Sequence, residues 1–346
     1  MLATTAPIAR TWADTQPQDA PVRRHHPLTG TIVPGTRISL ERRCGGGGSG
    51  FVYRARDRRT GKNLAVKVLR EDKLDRHDAM LQEIHILREV HSPWVVRFER
   101  SGVLPDGRPW FAMEHLDGRS LSEMLAHQRI VEVSRVIDWL RQACCGLAAI
   151  HDAGWAHRDV KPSNMILTNE PGTEPGTEPG TERLVVVDLG IAARFGARSS
   201  ILSGTPEYIA PEQAQCKPVD LRSDIYALGC CAFELLTGRP LVSQRGLLAK
   251  LNTHIEGVDV SWPDERAIPY IVRRIVERCL ARAPEARPPN MHVLQFELTR
   301  VSRELERIMR PLFTAPTFTP CDTTTLVRCP VAAANDTPPS LGRCTI

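Results

Sequence analysis

Three absences narrow the reading of this sequence before any motif is considered. No run approaches the roughly 18 apolar residues a membrane-crossing helix needs, so no membrane span is expected. The ten cysteines show no paired spacing of the zinc-binding kind. Two adjacent pairs, Cys144-Cys145 and Cys230-Cys231, fall instead in apolar segments that read as buried helices. Cysteine used as a small hydrophobe fits a reducing compartment, which makes a cytoplasmic protein the expectation. A strong charge is missing too: 45 basic against 40 acidic residues leaves +5, with no basic stripe, which argues against a nucleic-acid partner. The first residues also lack a basic segment followed by an apolar stretch, so no secretory signal is expected.

What is present is organised in blocks. Residues 1–35 are rich in Pro, Thr and Ala without a sustained period and read as a disordered arm; residues 311–346 read as a disordered Thr- and Pro-rich tail. Between them, Ile38 and Leu40 alternate as in a strand, glycines crowd 45–50, Phe51-Val52-Tyr53 resumes a strand, and Leu64 to Leu69 gives another. Residues 77–90 read as a helix with Met80, Ile84 and Leu87 on one face. Beyond that the chain is mostly helical. Ile137, Leu140, Cys144 and Leu147 mark one amphipathic helix, and Asp224 to Leu236 is so nearly apolar that burial on all sides is expected. Leu294, Leu298, Val301, Leu305 and Ile308 form the seam of a helix ending near Arg310. The tetrapeptide Pro-Gly-Thr-Glu occurs three times in succession over 171–182, between the strand-like Met165-Ile166-Leu167 and Leu184 to Val187. Proline and glycine at every fourth residue forbid helix and strand, so the repeat reads as an expanded hairpin turn, whose length costs little closure entropy. Inert expansion is favoured over a docking role for its glutamates.

The chemistry sits in four places. A glycine turn between two strands lets backbone N–H groups approach phosphate with no Cβ in the way, and Lys67, on the following strand, can reach the same phosphates. Glu83, near the apolar side of the next helix, can pair with that lysine and fix its position. The run His157-Arg158-Asp159-Val160-Lys161-Pro162-Ser163-Asn164 carries what phosphoryl transfer requires. Asp159 can accept a hydroxyl proton, Lys161 can steady a γ-phosphate and Asn164 can hold a metal, while His157 reads as a packed structural residue. Asp188 closes four apolar strand residues just before Gly190, a second metal-holding position.

In this order the motifs resemble the protein kinase family, specifically the eukaryotic-like (Hanks-type) serine/threonine kinases of bacteria, over roughly residues 36–300. The resemblance implies an α+β, two-lobed fold: a small β-rich lobe at 36–116 and a larger helical lobe at 117–310. It implies ATP with Mg²⁺ or Mn²⁺ in the cleft between them. Gly45, Gly47, Gly50, Val52, Ala65, Lys67 and Glu83 would then serve ATP, with Met113 as gatekeeper before the hinge Glu114-His115-Leu116. Asp159 and Lys161 would be catalytic, and Asn164 and Asp188 metal-holding. Gly204 to Glu212 resembles the substrate-side loop with its Ala-Pro-Glu end; Arg287 resembles the arginine that pairs with Glu212, and Asp224 the buried acid that braces the catalytic loop. Leu189, where the family usually has Phe, Cys44, where Leu is frequent, and the insertion are departures that remove no catalytic group.

Lys161-Pro162-Ser163-Asn164 together with Gly204-Thr205 resembles the Ser/Thr rather than the Tyr kinases. Arg158, before the catalytic Asp, implies an activation segment ordered by phosphate, with Ser199, Ser200, Ser203 and Thr205 as acceptors. Ser200 and Ser203 are favoured and Thr205 is expected to be structural. Beside protein substrates, the Thr-Pro pairs in the tail offer sites for a phosphothreonine-binding partner, with a merely solvated tail favoured over that role. The alternatives are a pseudokinase scaffold, disfavoured because Lys67, Glu83, Asp159, Asn164 and Asp188 all stand, and a small-molecule kinase, disfavoured by the peptide-platform residues 204–212.

Overall fold

The structure is a computed structural model, and it describes residues 28–46, 50–127, 130–168, 182–197, 202–263 and 267–309. Gly47, Ser199, Ser200, the tail and nearly all of the repeat lie outside these. The compact unit runs to Leu305; of the unit beginning at Glu306, only the end of the last helix is described.

Five antiparallel strands make the first sheet: β1 (Ile38–Gly46), β2 (Gly50–Asp57), β3 (Asn63–Leu69), β4 (Phe98–Val103) and β5 (Pro109–Glu114), in the order β1-β2-β3-β5-β4. Alternation sends Tyr53, Ala55, Leu64, Val66 and Trp110 to one face, where they form a core of their own. The expected arm 1–35 is wrong for its last residues. Val33 is 2% exposed, Leu28 packs on that outer core, and backbone bonds Gly30 to Leu40 (2.7 Å) and Val33 to Ile38 (2.8 Å) tie the segment to β1. The outer face of the sheet is apolar and needs a cover, and these two side chains supply it.

Helix α1 (His77–Glu89) packs on the opposite face through Met80, Ile84 and Leu87, as their spacing predicts. The helical lobe follows: α2 (Leu121–His127), α3 (Val133–Asp152), α4 (Pro211–Ala214), α5 (Arg222–Thr237), α6 (Leu247–Glu256), α7 (Tyr270–Cys279) and α8 (Met291–Met309). On α5 every residue from Ser223 to Leu236 except Glu234 is buried, and on α8 Leu294, Leu298, Val301 and Leu305 face the core. Cys144, Cys230 and Cys231 are buried thiols and Cys145 is half-buried.

Two small sheets carry the loops between. Strands β6 (Gly118–Ser120), β8 (Met165–Thr168) and β9 (Arg183–Val186) form one; β7 (Trp155–Ala156) and β10 (Ala193–Arg194) form the other. The β8–β9 pair is the antiparallel hairpin expected on either side of the repeat. The turn between α1 and β4 lies on this layer: Val186 N–H donates to Trp94 C=O at 2.8 Å and Val96 N–H to Val186 C=O at 3.0 Å. Gly146 on α3 permits this approach, since a Cβ there would stand 2.6 Å from the Trp94 carbonyl oxygen.

Candidate active site

A cavity of about 750 Å³ opens between the five-stranded sheet and the helical lobe. Gly45, Val52, Ala65 and Lys67 form its roof, and Met113, Glu114 and Leu116 its back edge along the segment joining the lobes. Asp159, Lys161, Asn164 and Asp188 form its floor. Gly50 does not line it. It is buried at the start of β2, where a Cβ would meet the Val68 carbonyl oxygen at 2.9 Å, so glycine serves strand packing there.

Lys67 and Glu83 are 5% and 2% exposed, and Lys67 Nζ lies 2.8 Å from both Glu83 carboxylate oxygens and 2.7 Å from Asp188 Oδ1. Burial works against the lysine's charge, but Asp188 and Glu83 hold its pKa above the ordinary range. The Lys67 charge holds Asp188 down to about 2, so that carboxylate is ionised throughout the neutral range. Burial pushes Glu83 up to about 7 against the pull of Lys67. Sheet and helix thus deliver one cation to a carboxylate of the opposite lobe.

The catalytic-loop residues surround Asp159. Thr205 Oγ1 donates to Asp159 Oδ1 at 2.7 Å, Lys161 Nζ lies 2.7 Å from Oδ2 and 2.8 Å from Thr205 Oγ1, and Asn164 Nδ2 donates to the Asp159 C=O at 2.9 Å. The loop is held from below. Asp224, fully buried, accepts the backbone N–H groups of His157 and Arg158 at 2.8 and 2.7 Å and lies 2.8 Å from His151 Nε2. Burial alone would raise Asp224, but the His151 hydrogen bond and the two nearby histidines keep it below the usual carboxylate range. This bracing holds Arg158 at φ 68°, and Asp188 stands at φ 64°; left-handed backbone at non-glycine residues is costly and gathers at functional sites. His157 is fully buried, its Nε2 3.2 Å from Val187 C=O, as a packed residue would be.

The chain matches the family model described as protein kinase domain over residues 38–298, three quarters of its length. The chain belongs to the protein kinase family. Among curated relatives, it is 34% identical over 291 residues to the probable serine/threonine-protein kinase PknB of Corynebacterium glutamicum, covering 79% of this chain and 43% of that protein. It is 34% identical over 313 residues to the serine/threonine-protein kinase Pkn1 of Myxococcus xanthus, covering 85% and 43%. Serine/threonine-protein kinase A of Synechocystis is 30% identical over 292 residues, covering 78% and 54%. The chain therefore spans about half the length of the curated relatives it matches.

Within the kinase cleft, the residues that could hold a divalent cation are Asp188 and Asn164. A carboxylate and an amide oxygen are hard donors, and two protein ligands completed by phosphate and water are the usual provision for Mg²⁺. Ser203 also lines the cavity. Motif reading missed Val96, Ile166 and Val187 in the cavity wall. Ile166 was findable: its neighbours Met165 and Leu167 are core residues, so alternation turns it the other way, into the cleft. No helix among the described residues is long and apolar enough to cross a membrane.

Proposed function

We propose that this protein transfers the γ-phosphoryl group of Mg-ATP, or Mn-ATP, to Ser and Thr hydroxyls of protein substrates, itself included. The observation that carries the reading is the joint geometry of Lys67, Glu83, Asp188 and Asp159: a buried, doubly anchored cation faces a carboxylate held ready for a hydroxyl proton. In this reading Lys67, located by Glu83, carries the phosphates, and Gly45 and Gly47 serve the same phosphates. Asp159 orients the acceptor hydroxyl in line and takes its proton. Lys161, already between Asp159 and Thr205, neutralises charge that develops on the transferred group. Bound metal, held by Asp188 and Asn164, would supply neutralisation of the phosphate charge. Thr205 acts as a structural strut, since its hydroxyl is engaged by both Asp159 and Lys161.

Activation in this proposal follows from Arg158, whose Nε is buried and has no hydrogen-bond partner among the described residues. A phosphate on Ser200 or Ser203 would give that guanidinium a charge-assisted acceptor and order the segment. The free thiols Cys44, Cys144, Cys145, Cys216, Cys230, Cys231 and Cys279 favour a cytoplasmic setting. A phosphothreonine-binding partner, recruited by tail threonines such as Thr319 and Thr337, belongs to the same proposal.

Phosphoamino-acid analysis of protein labelled from γ-labelled ATP tests the residue class: phosphoserine and phosphothreonine are expected, and phosphotyrosine as the main product rejects it. D188N is expected to bind nucleotide while its transfer needs far more metal; an unchanged metal requirement rejects Asp188 as the ligand.

A further inference from the structure

Glu182, the last residue of the Pro-Gly-Thr-Glu repeat, is fastened to α3. Both Glu182 carboxylate oxygens pair with the Arg135 guanidinium, and Trp139 Nε1 donates to Oε2 at 3.1 Å. The buried amide of Gln142 then brackets the next residue. Its Nε2 donates to the Glu182 C=O at 3.1 Å, and its Oε1 accepts the Leu184 N–H at 2.8 Å. Between these two clamped peptides stands Arg183, in the same cross-strand row as Thr168 of β8 and Gly118 at the start of β6.

From that row the Arg183 side chain, only 11% exposed, reaches across to the other lobe. Nη1 donates to the Pro93 C=O in the α1–β4 turn at 3.0 Å, and Nη2 lies 3.5 Å from Glu114 Oε2, a carboxylate 12% exposed. Glu114 is the residue at which β5 gives way to the segment joining the lobes. Its other oxygen accepts the Arg97 N–H at 3.0 Å, and its own N–H donates to the Arg97 C=O at 2.9 Å. A nearly buried carboxylate with a cation on one side and an amide on the other has one preferred place, and the peptide bearing it shares that constraint.

We infer that Arg183 is a positioning residue for the nucleotide: it fixes the Glu114 carboxylate and, through it, the backbone from Glu114 to Leu116 that edges the cleft. The inference rests on the reading of this cleft as an ATP site. It gives Glu182 a task, since Glu182 and Gln142 aim the Arg183 backbone. Loss of the guanidinium leaves the nearly buried Glu114 carboxylate without that cation, and the carboxylate then turns towards water and releases the joining segment.

Full-length R183M, R183K and E114Q test this, with nucleotide affinity read by titration of a fluorescent adenine nucleotide and with KM for ATP, kcat and Tm from the same preparations. R183M is expected to raise Kd and KM for ATP by about three- to tenfold, the range indirect coupling through packed networks supplies, with kcat within about twofold. R183K restores part of the loss, and E114Q in the R183M background adds little. A lowered Tm with Kd unchanged overturns the inference, as does a fall in kcat alone. Should R183M not fold, E114Q alone decides: it keeps the shape and removes the charge, and an unchanged Kd overturns the inference. Wild type that binds no adenine nucleotide defeats the ATP-site reading itself, a result distinct from binding that is indifferent to Arg183.

Discussion

Replacing Arg287 by alanine should be among the most destabilising single changes outside the hydrophobic core. Its side chain is fully buried and all five of its N–H donors are used: two on the Glu212 oxygens at 2.8 and 2.9 Å, and three on the carbonyls of Ala281, Arg222 and Arg282 at 2.8, 2.9 and 3.0 Å. Among the described residues, truncation leaves buried Glu212 with only the Ser223 hydroxyl, at 2.6 Å, and three carbonyls without their donor. Removing one member of a buried ion pair costs about 3–5 kcal/mol. At about 2–4 °C per kcal/mol for a domain of this size, Tm should fall by roughly 6–20 °C. R287K keeps the charge but offers three donors on a flexible stem in place of a planar fork, and should lose about half as much. Denaturant unfolding of R287A, E212A and the double variant gives the coupling: the double variant should be less destabilised than the sum of the singles by more than about 1.5 kcal/mol. A loss below about 1 kcal/mol for R287A, or strict additivity in the cycle, would refute the reasoning.

Other consequences are equally open to measurement. His254 is fully buried, 2.8 Å from the Tyr226 hydroxyl through Nδ1 and 3.1 Å from the Pro206 carbonyl through Nε2, and burial lowers its pKa to about 4. The unfolded chain therefore binds more protons between about pH 6.5 and 4, so stability falls as pH is lowered through that window, by up to about 3 kcal/mol for this group. H254Q should flatten that dependence, and an equal slope in both proteins would exclude His254 as its source. G146A places a Cβ 2.6 Å from the Trp94 carbonyl oxygen and should cost about 1–3 kcal/mol by overpacking, read from the denaturation midpoint. Thiol labelling with peptide mapping should find exposed Cys44 and Cys216 reactive and Cys144, Cys230, Cys231 and Cys279 inert, since burial raises the latter four thiols. ATP should slow labelling of Cys44, which lines the cavity, and equal rates with and without ATP would place the nucleotide elsewhere.

The parts of this fold that sequence showed are those where one periodicity dominates. The seam Leu294-Leu298-Val301-Leu305 can only be a helix facing a core, and the strands flanking the repeat declare themselves by β-branched residues on both sides of a stretch that neither helix nor strand tolerates. The cleft was legible because its chemistry needs particular residue types in a particular order. Contacts that join distant segments were less so. Leu28 and Val33 look like linker residues until the outer face of the sheet is seen to need a cover. Glu182, read as the last residue of an inert repeat, is anchored on α3 by Arg135 and Trp139, 47 and 43 residues away. Arg183 has no motif at all; only the paired backbone bonds of Gln142 and the row with Gly118 show where it points.

The most direct test of the central claim is transfer of labelled phosphate from Mg-ATP to a generic basic protein acceptor by wild type and by D159A, with nucleotide binding measured on both. Asp159 acting on the acceptor hydroxyl predicts transfer by wild type and a loss of about 10²–10⁴-fold in D159A with binding intact. Equal transfer by the two proteins, or none by a wild type that binds Mg-ATP, would contradict it.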